Sequence, residues 1–122
     1  MKKLLILLLF GSQLFAFQVS AQSKSASDIP FRLAMGQMLF DKHCSECHGA
    51  DLRGSESGPP LLHPYYIPSH YPDSAFYSAV LQGVKAKHWN FGDMKPVEGI
   101  GEAQIQRIIA FVRYVQKQNG MH

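Results

Sequence analysis

From residue 28 onward, stretches with a helical spacing of apolar positions are separated by long irregular ones. A first helix is predicted to begin near Asp28, with Pro30 in its opening turn, and to run through "PFRLAMGQMLFDKHC". Leu33, Gly36 and Phe40 fall on one face of it. A glycine there costs about 1 kcal/mol of helix propensity relative to alanine, so Gly36 predicts the close approach of another backbone. Residues 49–72, "GADLRGSESGPPLLHPYYIPSHYP", have glycine or proline at each bend and no period, and read as loop. A loop this long in a small domain implies that it wraps something or carries function. "DSAFYSAVLQG" predicts a short amphipathic helix with Phe76, Val80 and Leu81 inward and Gly83 as its stop. "VKAKHWNFGDMKPVEGIG" is again loop. "EAQIQRIIAFVRYVQKQNG" carries the strongest helical pattern, with Ile105, Ile108, Ile109, Val112 and Val115 inward and Gly120 beyond its end. No repeat and no alternating strand run is found, so the fold class is all-α. Three modest helices make a thin core for this length, which points to a bulky apolar ligand at the centre.

The first residues stand apart from this pattern. Lys2 and Lys3 precede the apolar run Leu4–Phe10, and the segment continues to Val19-Ser20-Ala21. A positive start, an apolar middle and a small-residue end are the marks of a secretory signal peptide over residues 1–21, cut after Ala21. Gly11, Ser12 and Gln13 break the apolar run short of the roughly 20 residues that cross a bilayer, so no transmembrane anchor is expected after cleavage. Residues 22–29 read as a flexible N-terminus and residues 30–120 as one domain. The full chain carries 12 Lys+Arg against 9 Asp+Glu; loss of Lys2 and Lys3 leaves a net charge of about +1. With no long basic run, nucleic acid is not a predicted partner. A periplasmic or otherwise exported, soluble monomer is expected.

Export changes the meaning of "DKHCSECHGA", which holds both cysteines of the chain, Cys44 and Cys47, followed at once by His48. In an oxidising compartment two cysteines would ordinarily pair, but a disulfide leaves His48 without a role. A thioredoxin-like redox pair wants a βαβ context, and zinc wants four protein ligands at suitable spacing; neither is present in the sequence. Cys-x-x-Cys-His is the attachment sequence for c-type haem, in which each thiol adds to one vinyl group and the histidine meets the iron. One covalent haem c, with its iron, is therefore the expected cofactor.

With these residues in hand, the chain resembles the class I, monohaem cytochromes c nearly from end to end. "GQMLFDKHCSECHG" is similar to the first helix of that family, with Gly36 and Phe40 at its glycine and aromatic positions. "GPPLL" is similar to its Gly-Pro-x-Leu turn, and "IIAFVRYV" to its last helix, with Phe111 at the aromatic position that crosses Gly36 and Phe40. The resemblance implies that the Pro59 carbonyl accepts a hydrogen bond from His48, which fixes the ring and raises its basicity. It also nominates Met94, in "FGDMKPV", as the second axial ligand beside His48. Where many family members place proline directly after that methionine, this chain has Lys95 before Pro96. Met35 and Met38 are expected in the core and Met121 in the tail. His63, His70 and His88 are competing axial ligands, or else polar loop residues. Trp89 packs on the porphyrin and donates its N–H to a propionate, or is ordinary core.

The implied function is single-electron transfer between redox partners, whether a dehydrogenase, an oxidase or another cytochrome, and not catalysis by the chain alone. Lys85, Lys87 and Lys95 flank Met94 and would steer an acidic partner. The alternative is a haem-based small-ligand sensor or a peroxidase-like enzyme, both of which need an open or displaceable distal site, with His88 as the distal acid–base group.

Overall fold

A computed structural model describes residues 29–122. The expectations for the leader over residues 1–21 and for residues 22–28 lie outside the described residues. Four α-helices are present among them: α1 (Ala34–His43), α2 (Ser45–His48), α3 (Asp73–Gln82) and α4 (Glu102–Gln118). There is no strand among the described residues, and the fold is all-α.

The first helix starts later than its sequence suggests. Pro30 is extended, with ψ 141, and accepts the Leu33 N–H at 2.7 Å, so a 3-10 turn over Phe31–Leu33 precedes α1. The helix also breaks at Cys44, whose φ of −126 separates α1 from the single turn of α2. Gly36 sits where α1 crosses α4, and a Cβ there would overlap the Arg107 carbonyl. Beside this contact the rings of Phe40 and Phe111, both almost fully buried, lie 5.5 Å apart and tilted by 54°. The aromatic pair and the glycine thus fix one helix crossing side by side.

Helix α4 begins with the Gln104 side chain accepting the Gly101 N–H at 2.9 Å, and buries Ile105, Ile108, Ile109 and Val112 as its period predicts, with Val115 only partly buried and Phe111 buried beside them. Its buried stripe ends in a polar residue, Gln116. On α3, Phe76 and Val80 are buried, but Leu81 is 53% exposed. The inward face is completed by Ala79, two positions before Leu81. Gly83, at φ 74, ends α3 and lies so close to the Met94 carbonyl that a Cβ would overlap it.

The long loop over residues 49–72 is ordered by its own backbone. Leu52 is buried at φ 62, and its carbonyl accepts the N–H groups of both Leu61 (2.8 Å) and Leu62 (3.0 Å). A short 3-10 turn over Pro64–Tyr66 follows, with the Tyr65 N–H donated to Nδ1 of His63 at 3.2 Å. No helix among the described residues is long and apolar enough to cross a membrane.

Candidate functional site

A cavity of about 480 Å³ opens between α2, α3, α4 and the two long loops. Its floor is apolar, built from Phe76, Val80, Ile105 and Ile109. Into it face residues that are far apart in sequence: Cys44, Cys47 and His48 from the α1–α2 corner, Pro59 from the first loop, Trp89 and Met94 from the second. The volume lies within the about 300–1,000 Å³ typical of ligand pockets.

The α1–α2 break sets the geometry of the first group. Cys44 ends one helix and its carbonyl starts the next, accepting the His48 N–H at 2.9 Å. One turn therefore carries both thiols and the imidazole along one wall. The cysteines are free thiols. Burial, and then the neighbouring Cys47, push the Cys44 thiol up to about 12, so it stays protonated. Nδ1 of His48 lies 2.9 Å from the Pro59 carbonyl oxygen. A carbonyl can only accept, so Nδ1 carries the proton and Nε2 keeps its lone pair. Burial holds this imidazole below its usual range, against the opposing effect of the Pro59 bond. A neutral imidazole oriented through its other nitrogen is the form that binds a metal.

Met94 is half-buried and pairs its backbone with Val84 in both directions, at 2.9 Å each. The segment between them is pinched further by Lys85 Nζ on Asp93 at 2.6 Å and by the Ala86 N–H on Asp93 at 2.9 Å. The other methionines lie elsewhere. Met35 and Met38 are not core: they are 48% and 64% exposed on the outer face of α1, because α4 covers only the Gly36–Phe40 side. Met121 lines a separate, smaller cavity near the C-terminus.

Of the histidines weighed as ligands, His88 lines the cavity, while His63 and His70 are not among its walls. His88 is stacked on Tyr65, with centroids 4.3 Å apart and planes within 15°. Trp89 lines the cavity too, and its Nε1–H is donated to the Tyr66 hydroxyl at 2.9 Å. That bond gives the indole N–H a protein partner on the cavity wall. Among the described residues no group of three His, Cys, Asp or Glu side chains is arranged to hold a metal ion, which leaves a zinc site without support.

Sequence reasoning missed what surrounds this site. Tyr66 lines the cavity and is almost fully buried, and burial pushes its phenol up to about 12, with its Trp89 bond acting the other way. Arg113 and Gln116 of α4 hold the loop that carries it. One signal was legible: the inward stripe 105, 108, 109, 112 continues to position 116, and a glutamine there announces backbone groups to be satisfied. His43, also on the cavity wall, has a buried Nε2 without a hydrogen-bond partner. An apolar cavity with two thiols, a neutral imidazole and an unpartnered wall nitrogen suits a large, mainly apolar group attached through sulfur and nitrogen, as haem is.

A small helical domain wrapped around such a cavity, with Cys-x-x-Cys-His on its wall, defines a c-type cytochrome. The model of the family "Cytochrome c" matches residues 33–116, and the chain belongs to that family. Membership implies covalently bound haem c and its iron. Over 48 residues the chain is 42% identical to the cbb3-type cytochrome c oxidase subunit CcoP of Rubrivivax gelatinosus. That match covers 39% of this chain and only 16% of the oxidase subunit. An electron-carrying role fits both findings.

Proposed function

We propose that the chain is an exported, periplasmic carrier of single electrons, with one haem c attached through Cys44 and Cys47 and ligated by His48 and Met94. Held there, the iron supplies a one-electron ferric/ferrous couple. Each residue then has a defined task. His48, oriented by Pro59, would offer Nε2 to the iron. Met94, on the second long loop, would offer its thioether. Phe76, Val80, Ile105 and Ile109 exclude water, and Trp89 closes one edge of the cavity. The observation that carries this reading is that Met94 lines the same cavity as the Cys-x-x-Cys-His turn.

The similarity to an oxidase subunit favours a terminal oxidase as electron acceptor, with a dehydrogenase or another cytochrome as donor. Such partners would meet the cavity mouth, where Lys87 and Lys95 are exposed and, among the described residues, have no acidic group within ion-pair distance. Lys85 is neutralised by Asp93 and drops out of the steering set. On this reading both thiols are spent on haem attachment, and the ring of His88 is stacked on Tyr65. The deciding experiment is the visible and near-infrared spectrum of the exported protein, oxidised and reduced, with carbon monoxide added to the reduced form. A thioether-type haem spectrum, a methionine-to-ferric-iron band and indifference to carbon monoxide are expected; rapid carbon monoxide binding without that band would replace the carrier by a sensor or enzyme with an open distal site.

A further inference from the structure

The segment that carries Met94 is closed at its neck and has few ties beyond it. Val84 and Met94 exchange two backbone hydrogen bonds, and Lys85 and Ala86 both bond Asp93. Among the described residues, the hydrogen bond and ring contacts that tie residues 85–93 to other segments all reach the loop before α3. Trp89 Nε1–H is donated to Tyr66 at 2.9 Å, His88 stacks on Tyr65 at 4.3 Å, and His63 meets Trp89 edge-on at 5.0 Å and His88 at 6.4 Å.

That loop is itself anchored to α4. Arg113 Nη1 donates to the Tyr66 carbonyl at 2.7 Å, and Arg113 Nη2 donates to the Tyr71 carbonyl. The almost fully buried Gln116 donates through Nε2 to the carbonyls of Leu61 (3.0 Å) and Tyr66 (3.1 Å). The guanidinium is completed by Asp73 at 2.8 Å and lies 4.7 Å over the Phe76 ring. The tyrosines are therefore a fixed abutment, and the Met94 segment is the part able to swing.

We infer that Tyr65 and Tyr66 are positioning residues: through His88 and Trp89 they latch the Met94 segment over the cavity and set how readily an added small ligand displaces Met94. The inference rests on the His48/Met94 reading. A lid must open before a ligand enters, so the entry rate reports the population of the opened segment. Loss of one neutral hydrogen bond raises that population about five- to tenfold. The Tyr66 hydroxyl has a second consequence: without it the half-buried indole N–H of Trp89 is left unpaired, which further favours the opened form.

The test uses imidazole as the probe on the ferric, haem-loaded protein, in Tyr66→Phe, Trp89→Phe and the double variant, with amide hydrogen exchange of residues 84–94 measured in parallel. Each single variant is expected to bind imidazole about five- to tenfold faster and to exchange these amides faster. The double variant should be no faster than either single one, because one bond joins the pair. Unchanged imidazole rates in both single variants would overturn the latch. So would an equal acceleration in Gly36→Ala, which loosens the helix crossing without touching the loops, since the effect would then be global. Met94→Ala separates the two readings: retention of the band in that variant would sink the axial-ligand reading itself, whereas its loss alongside unaltered latch variants would sink the latch alone.

Discussion

Nδ1 of His48 and the carbonyl oxygen of Pro59 are 2.9 Å apart, across the wall of the cavity that also holds Cys44, Cys47 and Met94. The bond fixes which imidazole nitrogen remains for a metal. His48→Ala is therefore expected to abolish the six-coordinate haem spectrum. Pro59→Gly, which keeps the carbonyl but frees its backbone, should weaken the proximal bond about tenfold, the lower end for groups that orient a ligand. Acid titration of the ferric protein's optical spectrum, in which protonation detaches the histidine, measures both.

Met94→Ala removes the only methionine side chain on the cavity wall among the described residues. Its expected phenotype is carbon monoxide binding to the reduced protein, together with a fall in reduction potential on the order of 0.1 V or more, as loss of a thioether ligand dictates. Potentiometry and rapid mixing check the two effects. Met38→Ala, on the exposed face of α1, should show neither.

Gly36→Ala should destabilise the domain although alanine favours helix. The propensity gain is about 1 kcal/mol. Against it stands overlap with the Arg107 backbone, which cannot rotate away, and overpacking of this kind costs about 1–3 kcal/mol. Chemical denaturation is expected to give a net loss of stability, with the haem spectrum of the folded fraction unchanged.

The buried Tyr66 phenol predicts an alkaline limit. Its pKa is raised from the ordinary 10.0 to about 12 by burial, so the unfolded chain gives up this proton at lower pH than the folded one. The contribution is complete below pH 10 and is lost as pH rises from about 10 to about 12. Tyr66→Phe has no proton to lose and should flatten this part of the stability profile, measured by denaturant midpoints across that range.

Electrostatic steering at the cavity mouth predicts a salt dependence. Reduction by an acidic partner should slow as ionic strength rises, because the attraction is screened beyond about 10 Å at 0.1 M salt. Lys87→Glu should reduce the association rate several-fold, while Lys85→Gln should change it less, since Asp93 already balances that charge. Stopped-flow kinetics at several salt concentrations distinguishes the two lysines.

Adjacent residues determined much of this protein. Cys44, Cys47 and His48 lie within five consecutive residues, so their order and spacing alone specify the attachment chemistry, and one turn of helix presents all three. The helical period of α4 named its buried face, and Gly36 announced a close backbone approach because a helix interior has no other reason to hold glycine. Tertiary structure decided whatever depends on which segments meet. Leu81, Met35 and Met38 sit at apolar-looking helix positions yet face outward, since burial requires a neighbour and local period does not say where the neighbour stops. The Trp89 donor went to Tyr66 and the Arg113 and Gln116 side chains to loop carbonyls. These partners lie 23, 47 and 55 residues apart in sequence. No periodicity reaches that far; closing the loops around the cavity is what brings each donor to its acceptor.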